Sequence, residues 1–147
     1  LSDVMLQLAE AEVELNNLER ARALVNQIRQ RASNPADFVL NGGSPAANYQ
    51  IGTYTAPWTD KAVATKAVRF ERRVELGMEG HRFFDIVRWG IAPAVKNAYY
   101  AKDGVRRGYL RTASFVAGKN EVFPLPAKAI TQSAKDGVPT LKQNAGY

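Results

Sequence analysis

The stretch Phe70-Glu71-Arg72-Arg73-Val74-Glu75-Leu76-Gly77-Met78-Glu79-Gly80-His81-Arg82-Phe83-Phe84-Asp85-Ile86-Val87-Arg88-Trp89-Gly90 decides how this chain is read. It reads as the end of one helix, fraying at Gly77 and Gly80, then a short helix from His81 to Trp89. Gly90 suits the left-handed position just past a helix end. Glu71 and Glu75 lie one turn apart on one helix face. Arg72, Arg73, Arg82 and Arg88 are close in sequence, and a helix-turn-helix folds the second pair back toward the two carboxylates. Planar, bidentate Arg–carboxylate pairs then lock the helices together. The competing chemical reading is a glycoside hydrolase with Glu71 and Glu75 as acid and base. Ion pairing is preferred, because guanidinia are at hand for both carboxylates, and no catalytic residue is expected.

Other chemistries find little footing. His81 is the only histidine. With Glu79 and Asp85 it lacks the second histidine of a facial triad or a zinc helix, so no metal is expected and a local hydrogen bond at the turn is. Ser33, Ser44, Ser114 and Ser133 lack the surroundings of a nucleophile elbow. The glycines form no phosphate-binding loop, and no cofactor is expected. Cysteine is absent, which excludes disulfides, zinc-thiolate sites and cysteine catalysis.

Upstream, Leu1, Val4, Met5, Leu8, Ala11 and Leu15 recur at three- and four-residue steps and predict one apolar helix face. Asn16-Asn17 breaks the pattern. Asn17 is a plausible cap for a second helix with the stripe Ala21, Leu24, Val25, Ile28 and Ala32, which Asn34-Pro35 stops. So short a link predicts antiparallel packing, with Ala9, Ala21 and Ala32 allowing close approach. The pair, residues 1–33, resembles one tetratricopeptide-type hairpin. Residues 34–59 carry Gly42-Gly43, Gly52 and three prolines, and read as a long loop. Thr59 or Asp60 caps a third helix, with Val63, Ala67, Phe70, Val74 and Met78 as its stripe and Ala64, Val68, Glu71 and Glu75 on the adjoining face. Pro93 fits the first turn of a further helix, so residues 60–102 are helical. Residues 103–147 look irregular. Short extended segments are expected at 109–116 and 121–123, a helical turn or two at 127–133, and an extended, docked tail ending in Tyr147. The fold class is therefore mainly α, in a single domain.

The chain has 147 residues, 20 Lys and Arg against 14 acids, and a net charge of +6. A basic balance raises the question of nucleic acid. The basic residues form no cluster longer than a pair, such as Arg106-Arg107, and no nucleic-acid partner is expected. No apolar run is long enough to span a bilayer. Leu1 is not an initiator Met and the opening residues are amphipathic, so the sequence reads as a piece of a longer protein with any export signal upstream.

Three blocks carry a resemblance. The first is Ala9-Glu10-Ala11 followed by Asn26-Gln27-Ile28-Arg29-Gln30-Arg31-Ala32. The second is the run from Glu71 to Gly90. The third is Val122-Phe123-Pro124-Leu125-Pro126 followed by Gln143-Asn144-Ala145-Gly146-Tyr147. In this order they resemble the SusD/RagB family, with Ile28, Leu125 and Ala145 as small departures from its pattern. The resemblance implies a mainly helical, tetratricopeptide-like scaffold. It implies a cell-surface lipoprotein of the outer membrane in Bacteroidetes-like bacteria. Such a protein binds a glycan or other small nutrient for a SusC-like TonB-dependent transporter and meets the membrane only through a lipid anchor outside this fragment.

The family pattern marks scaffold and places no ligand. A sugar needs flat aromatic faces together with amides or guanidinia. In the long loop, Asn48, Tyr49, Tyr54 and Trp58 suit that role, with Asn41 and Gln50 interleaved. Tyr54 and Trp58 can equally pin the loop to the third helix. Tyr99, Tyr100 and Tyr109 are second candidates, and Trp89 is expected in the core. The alternative function is a helical scaffold that binds a protein partner. It predicts buried loop aromatics and an exposed apolar or charged surface.

Overall fold

Asn16 ends the first helix as the sequence implies. Its φ of 63° is left-handed, a conformation asparagine tolerates, and the chain turns there from α1 (Ser2–Glu14) into α2 (Leu18–Ala32). The computed structural model describes all residues, 1–147. Helices hold 51% of them and the strands are only short pairs, so the fold is mainly α. The chain divides into two compact units, Leu1–His81 and Arg82–Tyr147.

In the first unit α1, α2 and α3 (Lys61–Glu75) pack together. Ion pairs and hydrogen bonds at their ends give the directions. Arg31 near the end of α2 reaches the Ser2 hydroxyl at the start of α1, 3.2 Å away. Lys61 at the start of α3 meets Glu14 at the end of α1 at 2.7 Å, and Arg72 at the far end meets Asp3 at 2.9 Å. Helix α1 therefore runs antiparallel to both neighbours. Asp60 caps α3, its carboxylate accepting from the Ala62 and Val63 amides. Asn17 precedes α2 but makes no side-chain cap; its amide donates to Glu12 at 2.8 Å.

The core of this unit is Leu6, Ala9, Val13, Leu18, Ala21, Val25, Ile28, Trp58, Ala64, Ala67 and Val68. Helix α2 buries Ala21, Val25 and Ile28 of the expected stripe and half-buries Leu24 and Ala32. Helices α1 and α3 expose most of theirs. On α1, Leu1, Val4, Leu8 and Leu15 face solvent while Leu6, Ala9, Glu12 and Val13 are inside. On α3, Val63, Phe70 and Val74 are outside, as is Met78 beyond its end; Ala67 alone of that stripe is buried, with the adjoining face of Ala64, Val68 and Glu71, joined by Arg72. The reason is that apolar periodicity leaves charged residues outside, whereas Glu12, Glu71 and Arg72 are buried. Glu12 accepts from Arg20 and Asn17, Glu71 from Arg29, and Arg72 donates to Asp3, so each enters the interior paired. Small alanines then decide which face approaches a neighbour.

The long loop has more structure than its composition suggested. Asn34 caps a 3-10 turn at Pro35–Asp37. Strands β1 (Leu40–Asn41) and β2 (Ser44–Pro45) form a hairpin around Gly42 and Gly43, both at positive φ. Consecutive positive φ values define the mirror-image turn that suits strand twist, which is why glycines stand there.

The second unit contains α4 (His81–Arg88) from Arg82 onward, α5 (Ala92–Asp103) and α6 (Ala127–Gln132). Gly90 at φ 68° follows α4, and Pro93 lies in the first turn of α5. Its core is Ile86, Ala92 and Phe115, with Phe83, Val87, Trp89 and Tyr100 packed against it. Trp89 is thus only partly in the core, and the Arg88 guanidinium lies 5.0 Å from its ring centre. Asn97 imitates a strand partner: its amide donates to the Phe115 carbonyl and accepts from the Phe115 amide, at 3.0 and 2.7 Å. The extended segments expected at 109–116 and 121–123 are not strands. A 3-10 turn occupies Gly108–Leu110, and the strands are β3 (Ala134–Lys135) and β4 (Val138–Pro139), joined through Asp136-Gly137. The tail is extended and docked. The Gln143 side chain bonds both the amide and the carbonyl of Leu125, and the Tyr147 hydroxyl donates to Val122 at 3.0 Å.

Candidate functional site

Residues Glu19, Arg22, Asn26 and Arg29 form one polar stripe on α2, and this stripe holds the end of the long loop. Arg22 and Asn26 donate to the Tyr54 carbonyl at 2.6 and 2.9 Å, and the Asn26 oxygen accepts the Tyr54 amide at 2.8 Å. Glu19 accepts the Trp58 amide at 2.6 Å. Arg22 beside Glu19, and then that amide, hold the Glu19 carboxyl below its usual range. Arg29 donates to the Gly52 carbonyl, and its guanidinium stands 5.1 Å from the Tyr54 ring centre. Trp58 itself is buried, edge-on to Tyr54 with ring centres 5.2 Å apart.

The four loop residues expected to meet a ligand are therefore not one platform. Tyr54 and Trp58 strap the loop to the first unit, chiefly through α2. Tyr49 instead stacks on Phe38, ring centres 4.2 Å apart and 19° from parallel, and Asn48 is exposed beside it. The strap was legible as a polar period in Glu19, Arg22, Asn26 and Arg29. Beside Trp58 an open groove of about 710 Å³ is lined by Asn16, Asn17, Glu19, Arg20 and Thr59. Most of its polar wall is occupied internally: Arg20 and Asn17 serve Glu12, and Glu19 serves Arg22 and Trp58.

The charged run between 71 and 88 takes partners other than those its spacing suggested. Glu71, 4% exposed, accepts from Arg29 at 2.8 Å. Glu75 accepts from Arg31 at 2.5 Å. Both guanidinia come from α2, which runs alongside α3 with its end beside the α3 end; a parallel neighbour brings these side chains level. Arg72 reaches Asp3 on α1, Arg88 pairs with Asp85 at 2.9 Å on its own helix, and Arg73 is exposed. Arg82 stands 5.8 Å from the Trp89 ring centre. Glu71 and Glu75 thus sit against guanidinia from α2, Glu71 buried and Glu75 half-buried. His81 lies 3.8 Å from Glu79 at the turn, and no group of three or more metal-ligating side chains surrounds it.

A second constellation lies on α5. Tyr99 is 42% and Tyr109 73% exposed. Tyr99 donates to Asp103, and this hydrogen bond, with some burial, raises its pKa above the ordinary phenol value. Arg107 lies 3.7 Å from the Asp103 carboxylate and 3.5 Å from the Tyr109 hydroxyl. The bond to Tyr109 raises the Arg107 pKa further. Lys96 stands 5.8 Å from the Tyr99 ring centre and 5.4 Å from that of Tyr100, which packs on the core. The sequence pointed to the tyrosines. It also held the four-residue steps Tyr99, Asp103 and Arg107 that join them.

The assembled scaffold has known relatives. The family model of the SusD family matches residues 1–147. The chain belongs to the SusD family. A SusD-like protein, P25, of Formosa agariphila is similar to it, 34% identical over 92 residues. That match takes in 62% of this SusD-family chain and 14% of the relative, so the chain spans a small part of the curated protein it matches. No helix of this SusD-family chain is long and apolar enough to cross a membrane.

Proposed function

We propose that this SusD-family chain is part of a non-catalytic protein that binds a glycan or another small nutrient at the outer-membrane surface. It delivers that nutrient to a SusC-like TonB-dependent transporter, and a lipid anchor outside residues 1–147 holds it at the surface. The family match over the whole chain carries this reading. The seat of Glu71 and Glu75 against Arg29 and Arg31 supports it, since an acid and a base for hydrolysis need access to a substrate. Within the loop, Asn48 and Tyr49 serve the ligand, and Tyr54 and Trp58 hold the loop in place.

The test is calorimetry or affinity electrophoresis of the chain with a panel of oligosaccharides, combined with an assay for released reducing ends. Binding without hydrolysis is expected. Tyr49→Ala weakens it, whereas Trp58→Ala costs about 3–5 kcal/mol of stability, as truncation of a buried aromatic does. Hydrolysis abolished by Glu71→Gln would overturn the reading. A helical scaffold for a protein partner is the second reading. The exposed apolar residues Leu1, Val4, Leu8 and Leu15 on α1 favour it, as does the burial of Trp58. Absence of binding to any saccharide would favour it further.

A further inference from the structure

The net charge of +6 is not evenly shared. Residues 1–81 hold nine Lys and Arg against ten acids, and residues 82–147 hold eleven against four, a net −1 and a net +7. On the basic unit, α5 and the following turn show two exposed tyrosine rings separated by a fixed polar pair. Lys96 stands beside the Tyr99 ring, Asp103 follows Tyr99 by one turn on the same face of α5, and Arg107 lies between Asp103 and the Tyr109 hydroxyl. We propose that this face binds an acidic saccharide, with a uronate carboxylate or sulfate ester on Arg107 and Lys96 and sugar rings against Tyr99 and Tyr109.

The chemistry follows from each group. A solvated helix face ordinarily carries flexible charged chains. This one shows phenol rings, which have few rotatable bonds, so little side-chain freedom is lost when a ligand arrives. The apolar face of a pyranose stacks on such a ring, and a guanidinium presents parallel N–H donors to a carboxylate or sulfate. Asp103 argues against a nucleic-acid strand, whose continuous phosphates it would repel, while it can accept a sugar hydroxyl. The positive field of the unit draws an anion toward the face. The proposal rests on the nutrient-binding reading and adds to it a ligand class and a second surface, on the Arg82–Tyr147 unit.

The experiment is calorimetry of the whole chain with oligogalacturonate, a sulfated carrageenan oligosaccharide, neutral maltoheptaose and an oligothymidylate. The variants are Arg107→Ala, Tyr109→Ala and, as a control on the same unit, Lys135→Ala. The expected result is binding of at least one acidic saccharide that weakens as salt rises. Arg107→Ala and Tyr109→Ala should each lower the affinity about tenfold, equivalent to ~1.4 kcal/mol, and Lys135→Ala should leave it unchanged. Binding of maltoheptaose alone, or of acidic saccharides undisturbed by both variants, overturns the acidic-saccharide face while the nutrient-binding reading stands. Oligothymidylate bound as tightly and lost with the same variants overturns it in favour of a nucleic-acid partner. Binding of no saccharide at all overturns it together with the reading beneath it.

Discussion

Glu71, Arg72 and Glu12 are charged side chains less than a tenth exposed, and each has a partner of opposite charge. Removing one partner of such a pair leaves a charge with nothing to offset its desolvation, which costs about 3–5 kcal/mol. The Asp3–Arg72 pair responds to acid. At Asp3 burial alone would raise the pKa, but the Arg72 hydrogen bond and charge, helped by His81 and Gln7, hold it below its ordinary 3.8. A carboxyl held low in the folded state favours folding fully above its unfolded pKa, and this is lost as pH falls through the folded one. Asp3→Asn should therefore lower the thermal midpoint at pH 7. The gap to the parent should close as pH falls below about 4, the range where a free aspartate titrates. A gap unchanged down to pH 2.5 would mean that the Asp3–Arg72 pair does not carry the effect. The sequence pattern pairs Glu71 and Glu75 with Arg72, Arg73, Arg82 and Arg88, whereas Arg29 and Arg31 hold the two carboxylates and Arg72 meets Asp3. The partners Arg29, Arg31 and Asp3 lie more than forty positions away, and no local spacing contains that information.

Helix spans were legible because capping and breaking residues act locally: Asp60 starts α3, Asn16 ends α1 and Gly90 follows α4. Helix faces were less so. Leu8 and Leu6 sit on one helix two residues apart, both large and apolar, and periodicity chose the wrong one. What decided the matter was Ala9 and the paired Glu12, which let α1 lie close to its neighbours. The two leucines provide a test. In the 147-residue chain, Leu6→Ala should cost about 2–5 kcal/mol, while Leu8→Ala, on the solvent side, should stay within about 0.5 kcal/mol. Urea unfolding midpoints at unchanged slope measure both, and equal losses would return Leu8 to the core. The turns at Gly42-Gly43 and Asp136-Gly137 carried a hairpin signal in their glycines, but strands of two residues leave no alternation to detect. Of the candidate site, Tyr99 and Tyr109 were legible as aromatics. The four-residue steps from Tyr99 to Asp103 and Arg107 stand in the sequence, but Tyr109 meets Arg107 only through the turn after α5.

At the scale of the whole chain, the family pattern and the structure divide the work between two kinds of residue. Within the pattern from Glu71 to Gly90, Glu71, Arg72 and Glu75 join α3 to its neighbours, where they fix geometry. We propose that ligand contacts fall to exposed rings and amides outside it. That division is the central claim, and a double-mutant cycle on Arg29 and Glu71, read by both unfolding and saccharide binding, tests it most directly. The cycle is Arg29→Ala, Glu71→Ala and the double variant. The account predicts a coupling energy of about 1–3 kcal/mol in stability, with saccharide affinity in the folded variants within twofold of the parent. Additive stability losses together with a collapse of binding would contradict it, because Glu71 would then be meeting the ligand and not bracing α3 against α2.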